Sequence, residues 1–343
     1  MISNVIKILF LCAFSAALAV LWAPILTRFL YKHKCWRKQA RTKAIDGKPA
    51  EVFHSLHKEK EVGTPRMGGL LIWATTLFVI FLFAILPNEN FNFLSRSQTW
   101  LPLAVLISAS LLGLFDDIMQ VLSRGKYAGG GIRFTRRLAI VFLIGAIGAY
   151  WFYFKLGWHQ IHIPGNGNIE LGLWYLPLFV ITVLACWAGG VIDGIDGLSG
   201  GTFAIIFGAF AIIAFSRGQY DLASFCAVIS GATLSFLWFN IPPARFYMGE
   251  TGSMGLTATL AVVAFLTDSV LVLPIIGGLL VLEAGSIILQ VASKKLFHKK
   301  VFLCAPLHHH LEAIGWGRDK ITMRAWILGM VFAIIGVAIR LLG

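Results

Sequence analysis

The chain has 343 residues, of which 58% are hydrophobic and only 13% charged, and its formal net charge is +13. A mean hydropathy of +0.79 lies outside the range of soluble globular chains and makes the bilayer its expected solvent. The cysteines (Cys12, Cys35, Cys186, Cys226 and Cys304) are odd in number and show no CxxC spacing, which argues against a disulfide framework or a zinc ribbon and leaves them as small packing residues.

A membrane helix needs about 20 mostly apolar residues, or about 17 with help from tilt. Ten apolar stretches are read as approximate spans, some with cores shorter than this, the sixth and eighth being the shortest. In chain order they are Ile8 to Leu26, Leu70 to Leu86, Leu101 to Phe115, Leu138 to Tyr153 and Leu173 to Val191, then Phe203 to Phe215, Leu222 to Ile241, Met254 to Leu266, Val270 to Val291 and Ala325 to Leu342. The first follows Lys7 but is long, lacks a small-residue cleavage site and precedes a dense basic segment, so it reads as a retained anchor. "IPGNGN", Ile163 to Asn168, reads as a turn-rich loop. No internal repeat or low-complexity tail interrupts the pattern. The expectation is an all-α polytopic membrane protein of about ten transmembrane helices, forming a single domain over residues 1–343.

The positive charge is a matter of topology and does not point to nucleic acid. With the spans alternating in direction, every Lys and Arg except Lys7, Arg96, Lys155, Arg217 and Arg340 falls on one side. The positive-inside rule makes that side cytoplasmic and both termini periplasmic or extracellular. Attraction to anionic membrane lipid is a by-product.

The acidic residues collect on the same side. Asp116 and Asp117 in "LLGLFDDIMQV", Asp193 and Asp196 in "GGVIDGIDGLSGG", and Glu250 in "RFYMGETGSMG" sit in apolar or glycine-rich surroundings at helix ends. Carboxylates there are costly to desolvate and need a cation or hydrogen-bond donors. Adjacent carboxylates such as Asp116 and Asp117 suit a shared divalent metal, or a base beside a metal ligand; equally, one caps a helix while the other pairs with Arg133, Arg136 or Arg137. Asp193 and Asp196 share a face if their segment is helical, and the glycines around them let a ligand approach the backbone or let helices pack closely. Glu250 either caps the helix it opens or joins the other carboxylates. This donor set fits magnesium with a nucleotide better than zinc, because magnesium takes one or two protein carboxylates and completes its shell with phosphate and water. The three histidines of "LHHHLEAIGW" point in different directions on a helix and cannot readily share one zinc; contacts to phosphate or sugar from a loop suit them better.

The motifs "GTPRMGG" (Gly63 to Gly69), "FDD" (Phe115 to Asp117), "DGIDGL" (Asp193 to Leu198), "WFNIPPARFYMGETGS" (Trp238 to Ser253) and "APLHHHLE" (Ala305 to Glu312) occur in one order along the chain. In this order the sequence resembles the MraY family, the phospho-N-acetylmuramoyl-pentapeptide transferases of peptidoglycan synthesis, within the wider polyprenyl-phosphate N-acetylhexosamine-1-phosphate transferase superfamily. The resemblance implies transfer of phospho-MurNAc-pentapeptide from UDP-MurNAc-pentapeptide to undecaprenyl phosphate, giving lipid I and UMP with Mg2+ at the cytoplasmic face of a bacterial plasma membrane. It also implies a homodimer, for which no residue marks an interface.

Residue by residue, the resemblance makes Asp116 and Asp117 the catalytic pair, one of which positions or deprotonates the lipid phosphate. It makes Glu250 the main metal carboxylate, supported by Asp117. Asp193, Asp196 and Asn240 match the nucleotide pocket, and His308, His309 and His310 match the motif that recognises the muramoyl substrate. Glu250 departs from the family's usual aspartate, Gly190 from asparagine, Arg66 from threonine, and Glu61, beside Lys60, from lysine. Those departures leave open a relative that uses UDP-GlcNAc or another UDP-sugar. A membrane transporter is the competing class, but such proteins usually place their carboxylates near the bilayer midplane and often have repeated halves. Glu283, inside "GGLLVLEAGSIILQV", is an intramembrane ionisable group whose expected role is an internal hydrogen bond that fixes or bends the ninth span beside Gly277, Gly278 and Gly285.

Overall fold

A computed structural model describes residues 2–38, 62–86, 91–122 and 131–343. Lys60 and Glu61 lie outside the described residues. The chain is mostly helical: α1 (Ile2–Lys32), α2 (Gly69–Ile85), α3 (Trp100–Val121), α4 (Phe134–Tyr150), α5 (Tyr175–Gly189), α6 (Leu198–Ser216), α7 (Tyr220–Asn240), α8 (Gly249–Leu266), α9 (Leu273–Ile276), α10 (Gly278–Leu296), α11 (Leu307–Ala313) and α12 (Arg318–Leu342). Among the described residues, 8 helical segments are long and apolar enough to cross a membrane, and α2 is a shorter apolar helix.

Each stretch expected to span the membrane is helical here, with two amendments. The ninth is broken at Gly277 into α9 and α10, because Pro274 starts a short turn and Gly277 departs from helical geometry. The turn-rich stretch at Ile163 is the tip of an antiparallel hairpin, β1 (Gln160–Ile163) with β2 (Gly167–Glu170), so the fold is not purely helical. Alternating side chains and glycines at 165 and 167, both with positive φ, let this segment fold back on itself.

Helices α6, α7 and α8 are buried along most of their length, whereas α1, α4 and α12 present most of theirs outward. The outer faces carry large apolar residues such as Leu21, Ile25, Phe142, Leu143, Ile327 and Ile334, as expected where lipid replaces water. Small residues and hydroxyls join the inner helices. Ser15 Oγ donates to the Val228 carbonyl at 2.8 Å, Ser235 Oγ to Ala16 at 2.6 Å and Ser230 Oγ to Ala204 at 2.9 Å.

The up-and-down order sorts the connections between two ends of the bundle. At one end His162 N–H donates to Asp268 Oδ1 at 3.0 Å, and the His162 ring meets the terminal Gly343, which joins the hairpin, the α8–α9 link and the end of α12. The opposite end gathers the start of α2, the end of α3, the start of α4, the α5–α6 and α7–α8 links and α11, and every acidic and histidine motif named above lies there.

Candidate active site

Two loops form the floor. Backbone bonds from Gly68 N to Tyr247 O, Gly69 N to Met248 O and Tyr247 N to Pro65 O, each 2.8 Å, knit "GTPRMGG" to "RFYMGE". This pairing places Arg66 beside α3 and Glu250 in the first turn of α8. Helix α3 crosses that turn so closely that a Cβ on Gly113 would strike the Glu250 backbone, so residue 113 must be glycine for Asp116 and Asp117 to reach Glu250.

Asp116 is buried and fully engaged. Its oxygens accept Gln120 Nε2 at 2.8 Å and Ile132 N at 2.6 Å, and pair with Arg137 Nη2 at 2.7 Å. Gln120 Oε1 in turn accepts the Arg37 guanidinium. Arg137 Nη1 reaches Glu250 Oε1 at 2.5 Å, so one guanidinium bridges two of the expected catalytic carboxylates. The arginine partner weighed for the aspartate pair is therefore Arg137.

Asp117 is different. Its Oδ2 accepts Thr251 N at 3.0 Å, while Oδ1 is buried without a hydrogen bond and faces Arg66 Nε at 3.5 Å. A buried carboxylate oxygen with no hydrogen bond is what a hard cation would satisfy. Among the described residues no group of three or more His, Cys, Asp or Glu side chains is placed to hold a metal. A cage made wholly of protein ligands is thus absent from the described residues, whereas an ion held by one or two carboxylates fits.

The "DGIDGL" segment is not helical between its aspartates. A 3-10 turn ends at Ile192 and α6 begins at Leu198, after Gly197 with φ of 80°. Asp193 and Asp196 consequently diverge. Asp193 accepts Ser199 Oγ at 2.8 Å and Gly249 N at 3.0 Å, tying the loop to the start of α8. Burial pushes its carboxyl above the ordinary carboxylate range, against the opposing pull of Arg66 and those two donors. Asp196 accepts Ala244 N at 3.2 Å through its side chain and Thr322 Oγ1 at 2.9 Å through its carbonyl.

Asn240 is buried with both ends of its amide in use: Gly197 N donates to Oδ1 at 3.0 Å, and Nδ2 donates to Phe246 O at 2.9 Å. In this arrangement it braces two site loops and does not itself line the opening. Gly190 is not forced by packing, since a Cβ there would meet Ser253 and Thr257 at an ordinary 3.6 Å.

The three histidines lie on α11, a short helix, where a loop was expected, and they have three different environments. His308 Nδ1 pairs with Glu283 Oε2 at 2.9 Å. His309 Nδ1 pairs with Glu312 Oε2 at 2.7 Å, and Glu312 Oε1 accepts Arg318 Nε at 2.5 Å. His310 Nδ1 instead accepts the Leu303 N–H at 3.3 Å, and its ring meets Phe302 edge-on. His310 braces the preceding loop, while the other two rings are held from behind by carboxylates.

The supporting residues were only partly visible beforehand. Glu312 follows His309 by three positions and Gln120 follows Asp116 by four, which are helical neighbours. Arg137 was one of three candidates. The bond from Glu283 to His308 spans sequence-distant elements and has no local signature, and the same holds for Arg37 with Gln120, whereas Ser199 lies six residues from Asp193 in the same segment.

The family model for Glycosyl transferase family 4 matches residues 99–268. Relatives called phospho-N-acetylmuramoyl-pentapeptide-transferase include one from Geobacillus sp. (strain WCH70), 41% identical over 82% of this chain and 85% of its own length. One from Shouchella clausii is 38% identical over 97% of both chains, and one from Bacillus velezensis is 36% identical over 97% of this chain and 98% of its own. The chain belongs to the phospho-N-acetylmuramoyl-pentapeptide-transferase family.

Proposed function

We propose that this protein transfers phospho-MurNAc-pentapeptide from UDP-MurNAc-pentapeptide to undecaprenyl phosphate at the cytoplasmic face of a bacterial plasma membrane, releasing UMP and forming lipid I. The observation that carries the reading is the meeting, at one end of an apolar helical bundle, of Asp116, Asp117, Asp193 and Glu250 with Arg66, Arg137 and two histidines held by carboxylates. The excess of basic residues on that side supports a cytoplasmic orientation with ten spans and both termini outside.

In the reaction an oxygen of the lipid phosphate attacks the phosphorus that carries the sugar, and the bond from that phosphorus to the bridging oxygen of UMP breaks. Like charges must approach, so catalysis rests on neutralisation and in-line positioning. Arg66 and Arg137 supply fixed positive charge. Asp117, whose Oδ1 has no hydrogen bond but faces Arg66, and Glu250 would hold Mg2+, which when bound neutralises the diphosphate. Asp116 already accepts two hydrogen bonds and an ion pair, and is better suited to fixing Arg137 than to taking a proton. Asp193, Asp196 and Asn240 shape the nucleotide pocket, Asn240 from behind. His308 and His309 face the substrate. The homodimer rests on the resemblance alone, and the mass of the protein in detergent tests it.

Formation of the lipid product in detergent, with no sealed membrane, tests the proposal. Product that requires UDP-MurNAc-pentapeptide and is lost in Asp117→Asn supports it. A protein active only as solute flux across closed vesicles would be a transporter instead.

A further inference from the structure

Glu283 lies in α10, between Leu282 and Ala284, on a stretch with no other charged side chain until Lys294. It is buried, and a carboxylate in such surroundings is destabilising unless it is matched by donors. Its donors come from a different element. Oε2 accepts the backbone N–H of His308 at 3.3 Å and meets His308 Nδ1 at 2.9 Å. An ionised Glu283 offers only lone pairs, so Nδ1, the ring nitrogen that faces it, would be the donor in this contact.

The opposite edge of the ring is then defined. His308 Nε2 is buried and has no hydrogen-bond partner. It faces Gly194, between the aspartates of the "DGIDGL" loop, so closely that a Cβ at Gly194 would collide with it. An unpaired buried ring nitrogen aimed at the nucleotide loop is a group held ready for a partner that the protein itself does not supply.

We propose that Glu283 is a positioning residue for His308: it fixes the proton on Nδ1 and the ring angle, so that Nε2, left with its lone pair, is the edge presented to a hydroxyl of the sugar of the bound donor. The inference rests on the reading of His308 as part of the transferase site. Carboxylates behind metal-ligating imidazoles fix tautomer and ring orientation in this way, their loss costing about 10–100-fold, and a loss of the same order is expected here. The role assigns a function to an intramembrane acid that the sequence explained only as a helix brace.

The experiment uses the full-length protein in detergent. Nitrogen NMR of 15N-histidine-labelled wild-type protein, with the His308 signal identified by its disappearance in His308→Gln, is expected to show a proton on Nδ1 of His308. UMP release is then compared for wild type, Glu283→Gln, His308→Gln and the double variant. Glu283→Gln is expected to lower kcat by about 10–100-fold with little change in KM, and to make the double variant no worse than His308→Gln alone. An Nδ1 without a proton in the wild type, or losses that multiply in the double variant, would overturn the proposal. The nitrogen spectrum decides the tautomer even if wild-type protein releases no UMP, an outcome that would sink the transferase reading and not the Glu283–His308 pairing.

Discussion

Arg137 Nη1 lies 2.5 Å from Glu250 Oε1, so an arginine at the start of α4 grips the carboxylate that opens α8. The same guanidinium holds Asp116. Replacing it as Arg137→Gln removes the positive partner of two carboxylates, one buried and one half-buried. The expected loss is roughly 3 kcal/mol of stability, read as a lower thermal midpoint in detergent. Arg137 Nη1 engages Glu250 Oε1, and its removal leaves that carboxylate more open to a cation, so added Mg2+ should raise the midpoint of the variant more than that of the wild type. Equal shifts in the two proteins would place the cation elsewhere.

Asp193 gives a pH signature. Its carboxyl is raised by burial, so ionising it opposes folding. The stability it contributes is fully present below the ordinary carboxylate pKa of about 4 and is lost as pH rises through its higher folded value. Asp193→Asn can keep partners at both Ser199 and Gly249 without the charge. It should therefore melt higher than wild type at neutral pH, with the gap closing toward acid, while UMP release falls. A gap independent of pH would show that charge is not the cause.

Asn240→Ala leaves the Gly197 N–H and the Phe246 carbonyl without their partners. Each costs about 1–3 kcal/mol when buried. Stability and kcat are expected to fall together, with KM for the nucleotide donor little changed. A raised KM at unchanged stability would instead make Asn240 a direct nucleotide contact, as the resemblance implied.

Gly194→Ala puts a methyl where His308 Nε2 sits. The loop is short and lies at the site opening, so the fold should survive while the ring is displaced. A shift of about 1 Å at such a position can reduce turnover on the order of a hundredfold. Turnover and melting curves separate the two effects; near-wild-type kcat would remove His308 from the site.

The helices were legible because the bilayer demands long apolar runs, and those runs are helical apart from the turn at 270–272 and the break at Gly277. The hairpin at Gln160–Glu170 was not, since its four-residue strands carry little periodic signal. A bend of the ninth span beside Gly277, Gly278 and Gly285 was one reading of Glu283, but composition alone does not show that the chain breaks there into two helices. At the site, the acidic motifs and histidines were found as residues, but their roles depend on partners far away in sequence. Asp116 and Asp117 are neighbours of the same type, and it is their different arginine partners, Arg137 and Arg66, and the Asp117 oxygen without a hydrogen bond that distinguish them. Three adjacent histidines look alike, yet Glu283, Glu312 and Leu303 give each a different environment.

UMP release by the purified protein with undecaprenyl phosphate and Mg2+ is the most direct test, comparing UDP-MurNAc-pentapeptide with UDP-GlcNAc and wild type with Asp117→Asn. The expected result is release with the muramoyl donor only, abolished by EDTA and by the substitution. Release with UDP-GlcNAc alone, or undiminished release by Asp117→Asn, would contradict the proposed substrate in the first case and the proposed metal carboxylate in the second.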